Sequence, residues 1–400
     1  LYEKNVLTPE AWRGAIRIWA EDSELNDLAW TKIHGLLLGA GVDLLAEISW
    51  DLCRWIERRL KNGKLDEYEF MQFFDLLVKV PHEVDIDQYH DPLNAAINHP
   101  IGMMTENLFK WWYTTKPQGD GGINSTFRLK IQTLLNTPGQ NSYFAKAIIT
   151  SNLLQLYRAD AIWTESTIMT WFDWEDNELS TLSWRSFLWS AKLHRGLLSS
   201  LKPYFLATAS HFSQLNTQSE RYAQLLTYTA LQQYPEYKLT DFAEPVKILP
   251  EDGLQQVASS LEDGLSNSGE KRSEYWNNRV KPFLKKVWPK EANINEETVN
   301  QLALLCIEAR EHFDEAFNIL KHFLYHTRYN DHVITTLGNT NILEKFPESA
   351  LLLIDMIIGE PEYRPACNLE PCLAQIRAQK PDCANMPEFI RLWQIVQCYR

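Results

Sequence analysis

The sequence predicts an all-α chain: a degenerate helix-hairpin array, α-solenoid-like, of the HEAT-type superhelical kind. Apolar residues recur once per helical turn from end to end. Start and stop residues bracket those runs. No set of turn-bounded, alternating β-branched strands competes with them. Thr8-Pro9 opens the first apolar face with a capping oxygen and a first-turn proline. Gly63 ends a long run, Asp91-Pro92 begins the next, and Gly139 ends another. Asn295-Glu296-Glu297 supplies a cap and first-turn acids for the face Val299, Leu302, Ala303 and Cys306. Phe313, Ala316, Phe317 and Leu320 continue the spacing, with Leu324 one turn on. Ala350, Leu353, Ile354, Ile357 and Ile358 repeat it before Gly359, and Phe389, Leu392, Trp393 and Val396 close it.

These signals imply about fifteen to eighteen helices, paired about every 35–50 residues without a strict sequence repeat. We divide the chain into N-terminal helices over 1–90, a central array over 91–245 and a C-terminal array over 246–400, the last two continuous. Two loops interrupt the pattern, KPQGDGG over 116–122 and PEYKLTDFAEPVKILPEDG over 235–253, and either suits a subdomain joint.

Composition removes several function classes. With 45% hydrophobic residues and 15 Trp, the 400-residue chain has ample material for a core. The net charge of −13 repels phosphate backbones and anionic lipid. No apolar run approaches the roughly 20 residues that cross a bilayer. Six Cys at irregular spacing suit a reducing compartment. The start at Leu1, with neither methionine nor leader, suits a cytoplasmic, C-terminal piece of a longer protein.

The densest stretch is NAAINHPIGMMTENLFKWWY over 94–113. Pro100 fits a first helical turn, making Asn98 or His99 the cap, and Ile101, Met104, Leu108, Trp111 and Trp112 then share one face. Gly35, Gly39 and Gly41 lie inside a helical pattern, where close packing or a kink explains them better than a phosphate loop. Gly119, Gly121 and Gly122 lack a preceding strand and a P-loop lysine. His322 and His326, four apart in KHFLYHT, could share a helical face, with His312 and His332 near in sequence. Phe323 stands where a metalloprotease would have its glutamate, so they are weak metal candidates. Cys367, Cys372 and Cys383 lack paired zinc spacing. The run DWEDNE over 173–178 reads as a solvated loop with first-turn acids rather than a calcium loop. The stripe EKRSEYWNNRVKPFLKKVWPK over 270–290 interleaves Lys271, Arg272, Arg279, Lys281, Lys285, Lys286 and Lys290 with Tyr275, Trp276 and Trp288. Such a pattern can hold nucleic acid or an acidic partner, or can be a helix with buried rings and solvated lysines.

Five phrases carry a resemblance. INHPIGMMTENLFKWWY (97–113), WFDWEDNE (171–178), WRSFLWSAKLHRGLLSSLKPYFL (184–206), YWNNRVKPFLKKVWPK (275–290) and FPESALLLIDMIIG (346–359) together resemble the C-terminal helical region of large bacterial anti-phage defence proteins. The N-terminal part of such proteins is often a sirtuin-like domain that degrades NAD⁺ on infection. The resemblance implies that this chain is the sensor or regulator; residues 1–400 show neither the dinucleotide loop nor the β/α alternation of the effector.

The leading expectation is therefore a non-catalytic binding scaffold with no cofactor and no membrane contact, recognising a phage component or its own effector domain. His99, Trp111, Trp112, Trp276, Arg279 and Trp288 are the candidate partner-binding residues, as aromatic anchors with one guanidinium. The alternatives are a hydrolase using His99 or the His322/His326 pair, and a nucleic-acid module using Lys271–Lys290.

Overall fold

A computed structural model of the chain describes residues 8–82, 91–115, 122–137, 140–359 and 368–398. Capping chemistry sets its helix starts. Thr8, Asp91 and Asn295 each accept a backbone N–H of the first turn and open helices Pro9–Glu21, Pro92–Ile97 and Glu296–Glu308. Asp176 does the same for Asn177–Leu188, so the acidic run before it is a loop and a cap. After helix Val42–Lys61, Gly63 turns the chain at φ +65°. The described residues are all-α: helices joined by turns and short 3₁₀ pieces.

The helices pack as an array in two compact units, Leu1–Leu197 and Leu198–Arg400. In the first, Pro9–Glu21 lies on Val42–Lys61, which lies on Pro100–Thr114; Asn141–Ser151 follows, then Asn177–Leu188. In the second, Ser219–Gln232 packs on Glu251–Ser266, which packs on Glu296–Glu308, which in turn meets Phe313–Leu320 and Asp331–Gly338. Pro347–Ile357 packs on Leu369–Gln379 and Pro387–Cys398 in the same unit. The boundary at 197/198 falls inside the segment read as the central array.

Once-per-turn spacing becomes buried surface. Val299, Leu302, Ala303 and Cys306 are fully buried, as are Ala350, Leu353, Ile354 and Ile357. Each larger side chain of this kind contributes roughly 1.5–3 kcal/mol of burial. Leu324 is buried too, but from outside a helix: Phe313–Leu320 ends, a 3₁₀ turn Lys321–Phe323 follows, and Leu324 is extended at φ −84°, ψ 133°. Interruptions of this sort split the chain into more segments than the fifteen to eighteen expected.

The glycines sort by contact. Gly35 is inside helix Ser23–Leu38 and faces open space, so it packs against nothing. Gly39 and Gly41 are the cap of that helix and the N-cap of the next, which corrects their placement inside a helical pattern. Gly119, Gly121 and Gly139, with most of the loop 116–122, lie outside the described residues. Gly102 is the demanding one: a Cβ there would stand 1.9 Å from Ala96 O and 2.6 Å from its carbonyl carbon. Helix Pro100–Thr114 thus touches the backbone of Pro92–Ile97, and only a residue without Cβ permits it.

We expect Gly102→Ala to destabilise the first unit by about 3 kcal/mol or more, because backbone must move. Gly14→Ala, in the exposed interior of Pro9–Glu21 with nothing near its Cβ position, should stabilise by about 1 kcal/mol. Urea melts of the two variants check both signs, and equal effects would remove the steric explanation.

Candidate functional site

His99 is the N-cap of Pro100–Thr114. Its Nδ1 accepts the N–H of Ile101 at 3.2 Å, which puts the proton of the neutral ring on Nε2. The ring is buried, stacked on Phe144 at 3.8 Å between centroids, with His82 edge-on at 5.2 Å. Burial, reinforced by His82, pushes its pKa down to about 3. Nε2 has no hydrogen-bond partner among the described residues. The imidazole is a neutral structural cap.

The tryptophans are inside as well. Trp111 stacks near Phe70, and Trp112 lies 4.8 Å from Phe127. Trp276 is fully buried, stacked toward His312, and its indole N–H reaches Glu315 at 3.1 Å; Trp288 packs edge-on to Phe323. The expectation that these four rings and His99 stand on the surface as anchors is therefore corrected: their contacts are made within the chain. Arg279 is half-buried, and its guanidinium donates to Gln232 O at 3.0 Å. In the same stripe Arg272 pairs with Glu308 at 3.2 Å and Lys281 with Glu315, so part of its charge is neutralised locally.

His322 and His326 do not share a helical face. The segment between them is the 3₁₀ turn and the extended Leu324, and both rings are exposed. Among the described residues no group of three His, Cys, Asp or Glu is gathered as metal ligands would be. Cys367 lies outside the described residues. Burial raises the thiols of Cys53 and Cys306, and brings Cys372 to about 11, away from nucleophile chemistry.

What the histidine segment does form is a pinned loop. Thr327 N–H donates to Ile357 O at 2.9 Å, and its hydroxyl donates to Asn300 Oδ1 at 2.8 Å. The Asn300 amide returns to Tyr329 O at 3.0 Å, and Asn330 donates to Thr327 O and Ile357 O. Tyr325 O–H donates to Ile294 O, and Arg328 N–H to Glu296. Tied from beneath, the loop holds Tyr329 82% exposed, with Arg328 beside it, 70% exposed in its side chain.

The second feature is a cleft of about 360 Å³ lined by Ala230, Gln233, Tyr237, Leu239, Phe242, Pro282 and Lys286. Its cause is Pro282. The helix running through Arg272–Tyr275 and Lys281–Lys286 widens between them into a π turn, Trp276–Val280. Proline has no N–H, and its ring collides with the carbonyl four residues back, here Asn278. Gln233 Nε2 donates to that carbonyl from a left-handed backbone at φ +53°, and Arg279 ties the turn to Gln232 O. Tyr237 and Phe242 stack at 5.2 Å as the floor, with the Tyr237 hydroxyl donating to Leu198 O. The loop 235–253, read as a joint, is thus a cleft wall. Sequence reasoning passed over this site, although Pro282 inside a helical pattern was its signal.

Comparison of the chain with protein-family models, curated proteins and solved structures finds no match.

His99 makes stability pH-dependent. Between about 3 and 6.5 the unfolded ring binds a proton and the folded ring does not, so its contribution is complete above about 6.5 and is lost as pH falls through that window. His99→Asn keeps a capping acceptor and removes the titration. Between pH 7 and pH 5 we expect the wild type to lose up to about 2 kcal/mol more than this variant in urea melts. Parallel losses would overturn the assignment.

Proposed function

We propose that the chain is a non-catalytic sensor and regulatory scaffold that works by recognising a protein partner, as part of an anti-phage defence protein with a sirtuin-like, NAD-degrading effector. The defence setting comes from the resemblance of the five sequence phrases. The observation that carries partner recognition is the pinned loop. Holding a non-helical segment with at least five side-chain hydrogen bonds fixes the backbone that presents its exposed Tyr and Arg in advance of binding. Tyr and Arg are residue types enriched at the centres of protein interfaces, Tyr for rigid contact area at low entropic cost and Arg for its forked set of donors. The Arg328–Glu296 pair at 3.7 Å is solvent-exposed and weak, so the guanidinium can exchange it for a partner carboxylate.

The test is phage challenge of cells carrying the complete defence protein, reading plaque number and cellular NAD⁺. With Arg328→Ala and Tyr329→Ala combined, we expect about tenfold more plaques and retained NAD⁺. The purified chain should melt unchanged, since both side chains are exposed. Full protection by the double variant would eliminate the loop as the recognition surface. Steady NAD⁺ in infected wild-type cells would eliminate the sirtuin-like effector while leaving the loop open to test by plaque number.

A further inference from the structure

We propose that the cleft beside the π turn is a binding site for a small apolar carboxylic acid, whose body lies on Tyr237 and Phe242 and whose carboxylate meets Lys286. The space of about 360 Å³ is in the range of small-molecule sites, which are mostly apolar with a few placed polar groups. Its lining is as much polar as apolar. Ala230, Leu239, Phe242, Pro282 and the Tyr237 ring supply the apolar surface, and Lys286 supplies a cation.

Charge selects the ligand. Three nearby cations are matched: Lys281 with Glu315, Arg272 with Glu308, and Lys202 with Asp241 at 2.7 Å. Lys286 is exposed and has no carboxylate partner among the described residues. The Tyr237 hydroxyl is already committed to Leu198 O and the Gln233 amide nitrogen to Asn278 O, and the one charged side chain on the lining is the Lys286 ammonium. A neutral or cationic apolar molecule would gain the floor without the ion pair.

The walls are preorganised. The π turn is fixed by Gln233 and Arg279, the floor by the Tyr237–Leu198 hydrogen bond, and the rim by Lys202, whose ammonium lies 5.0 Å from the Tyr237 ring centre. A left-handed non-glycine residue next to a π turn is a combination that collects at ligand sites, where local strain shapes a surface that regular helix cannot make.

The experiment titrates benzoate, octanoate and 4-phenylbutyrate into the purified chain, followed by amide chemical shifts, with 4-phenylbutanamide and inorganic phosphate as controls. We expect at least one carboxylate to bind saturably with shifts centred on Ala230, Gln233 and Leu239, and its neutral amide or phosphate to bind about tenfold more weakly. Lys286→Ala, an exposed substitution, should weaken the carboxylate about tenfold and leave the melting temperature unchanged. Leu239→Trp, which fills the cleft, should abolish binding. The proposal is overturned if none of the three carboxylates binds saturably, if the amide equals the acid, or if Lys286→Ala binds as the wild type does.

Discussion

An array built only of helices must satisfy the backbone carbonyls left over wherever a helix ends, and here side chains from neighbouring helices do it. Each helix leaves four carbonyls without an internal partner, and among the described residues no sheet ladder takes them up. The Trp184 indole donates to Phe172 O and the Tyr222 hydroxyl to Phe205 O. Arg391 closes the end of Pro347–Ile357 by donating to Asp355 O, Ile358 O and Gly359 O, while Thr327 and Asn330 take Ile357 O. Arg59 does the same for Lys64 O while its guanidinium holds Asn26 and Asp27 and lies over Trp30. A donor that loses its place leaves a buried carbonyl orphaned, at a cost of about 1–3 kcal/mol. These ties therefore set which helix ends can meet.

That constraint explains where the aromatic surplus went. Trp, Tyr and Arg reach furthest and carry a donor at the tip, which makes them suited both to interfaces and to carbonyls inside an array. Composition cannot separate the two uses. Trp276 and Arg279 were read as surface anchors, yet each donates inward, to Glu315 and to Gln232 O. The residues that do stand out at the loop, Arg328 and Tyr329, follow no period and sit in a segment that looks like a continuing helix by spacing alone.

Legibility in the sequence follows the range of the interaction. Caps act over two or three residues, and Thr8, Asp91, His99 and Asn295 are all where local chemistry puts them. Burial periodicity acts over one turn, and the faces at 299–306 and 350–357 are buried as spaced. Many of the ties act over tens of positions, 27 between Thr327 and Asn300 and 54 between Asn107 and Cys53, and no local pattern announces them. Gly102 is the intermediate case: it stands three residues after His99 in an apolar run, and its contact with Ala96 is what lets two successive helices cross at van der Waals distance. The cleft depends on long-range ties throughout, so only Pro282 could have hinted at it.

Two local faults meet at that cleft and cancel. Pro282 removes a donor and displaces the Asn278 carbonyl; Gln233 holds a left-handed backbone that costs an L-residue roughly 1–2 kcal/mol. Either alone would be a defect. Joined by the Gln233–Asn278 hydrogen bond, the strained residue supplies the donor that the displaced carbonyl needs. The consequence is geometric. One extra residue in a turn rotates everything after it by about 100° around the helix axis relative to an unbroken α-helix. Pro282 and Lys286 line the cleft, and Phe283 and Leu284 are buried, in the register that follows this rotation. Without the wider turn, the same residues would present different faces, and Lys286 would leave the cleft it now lines.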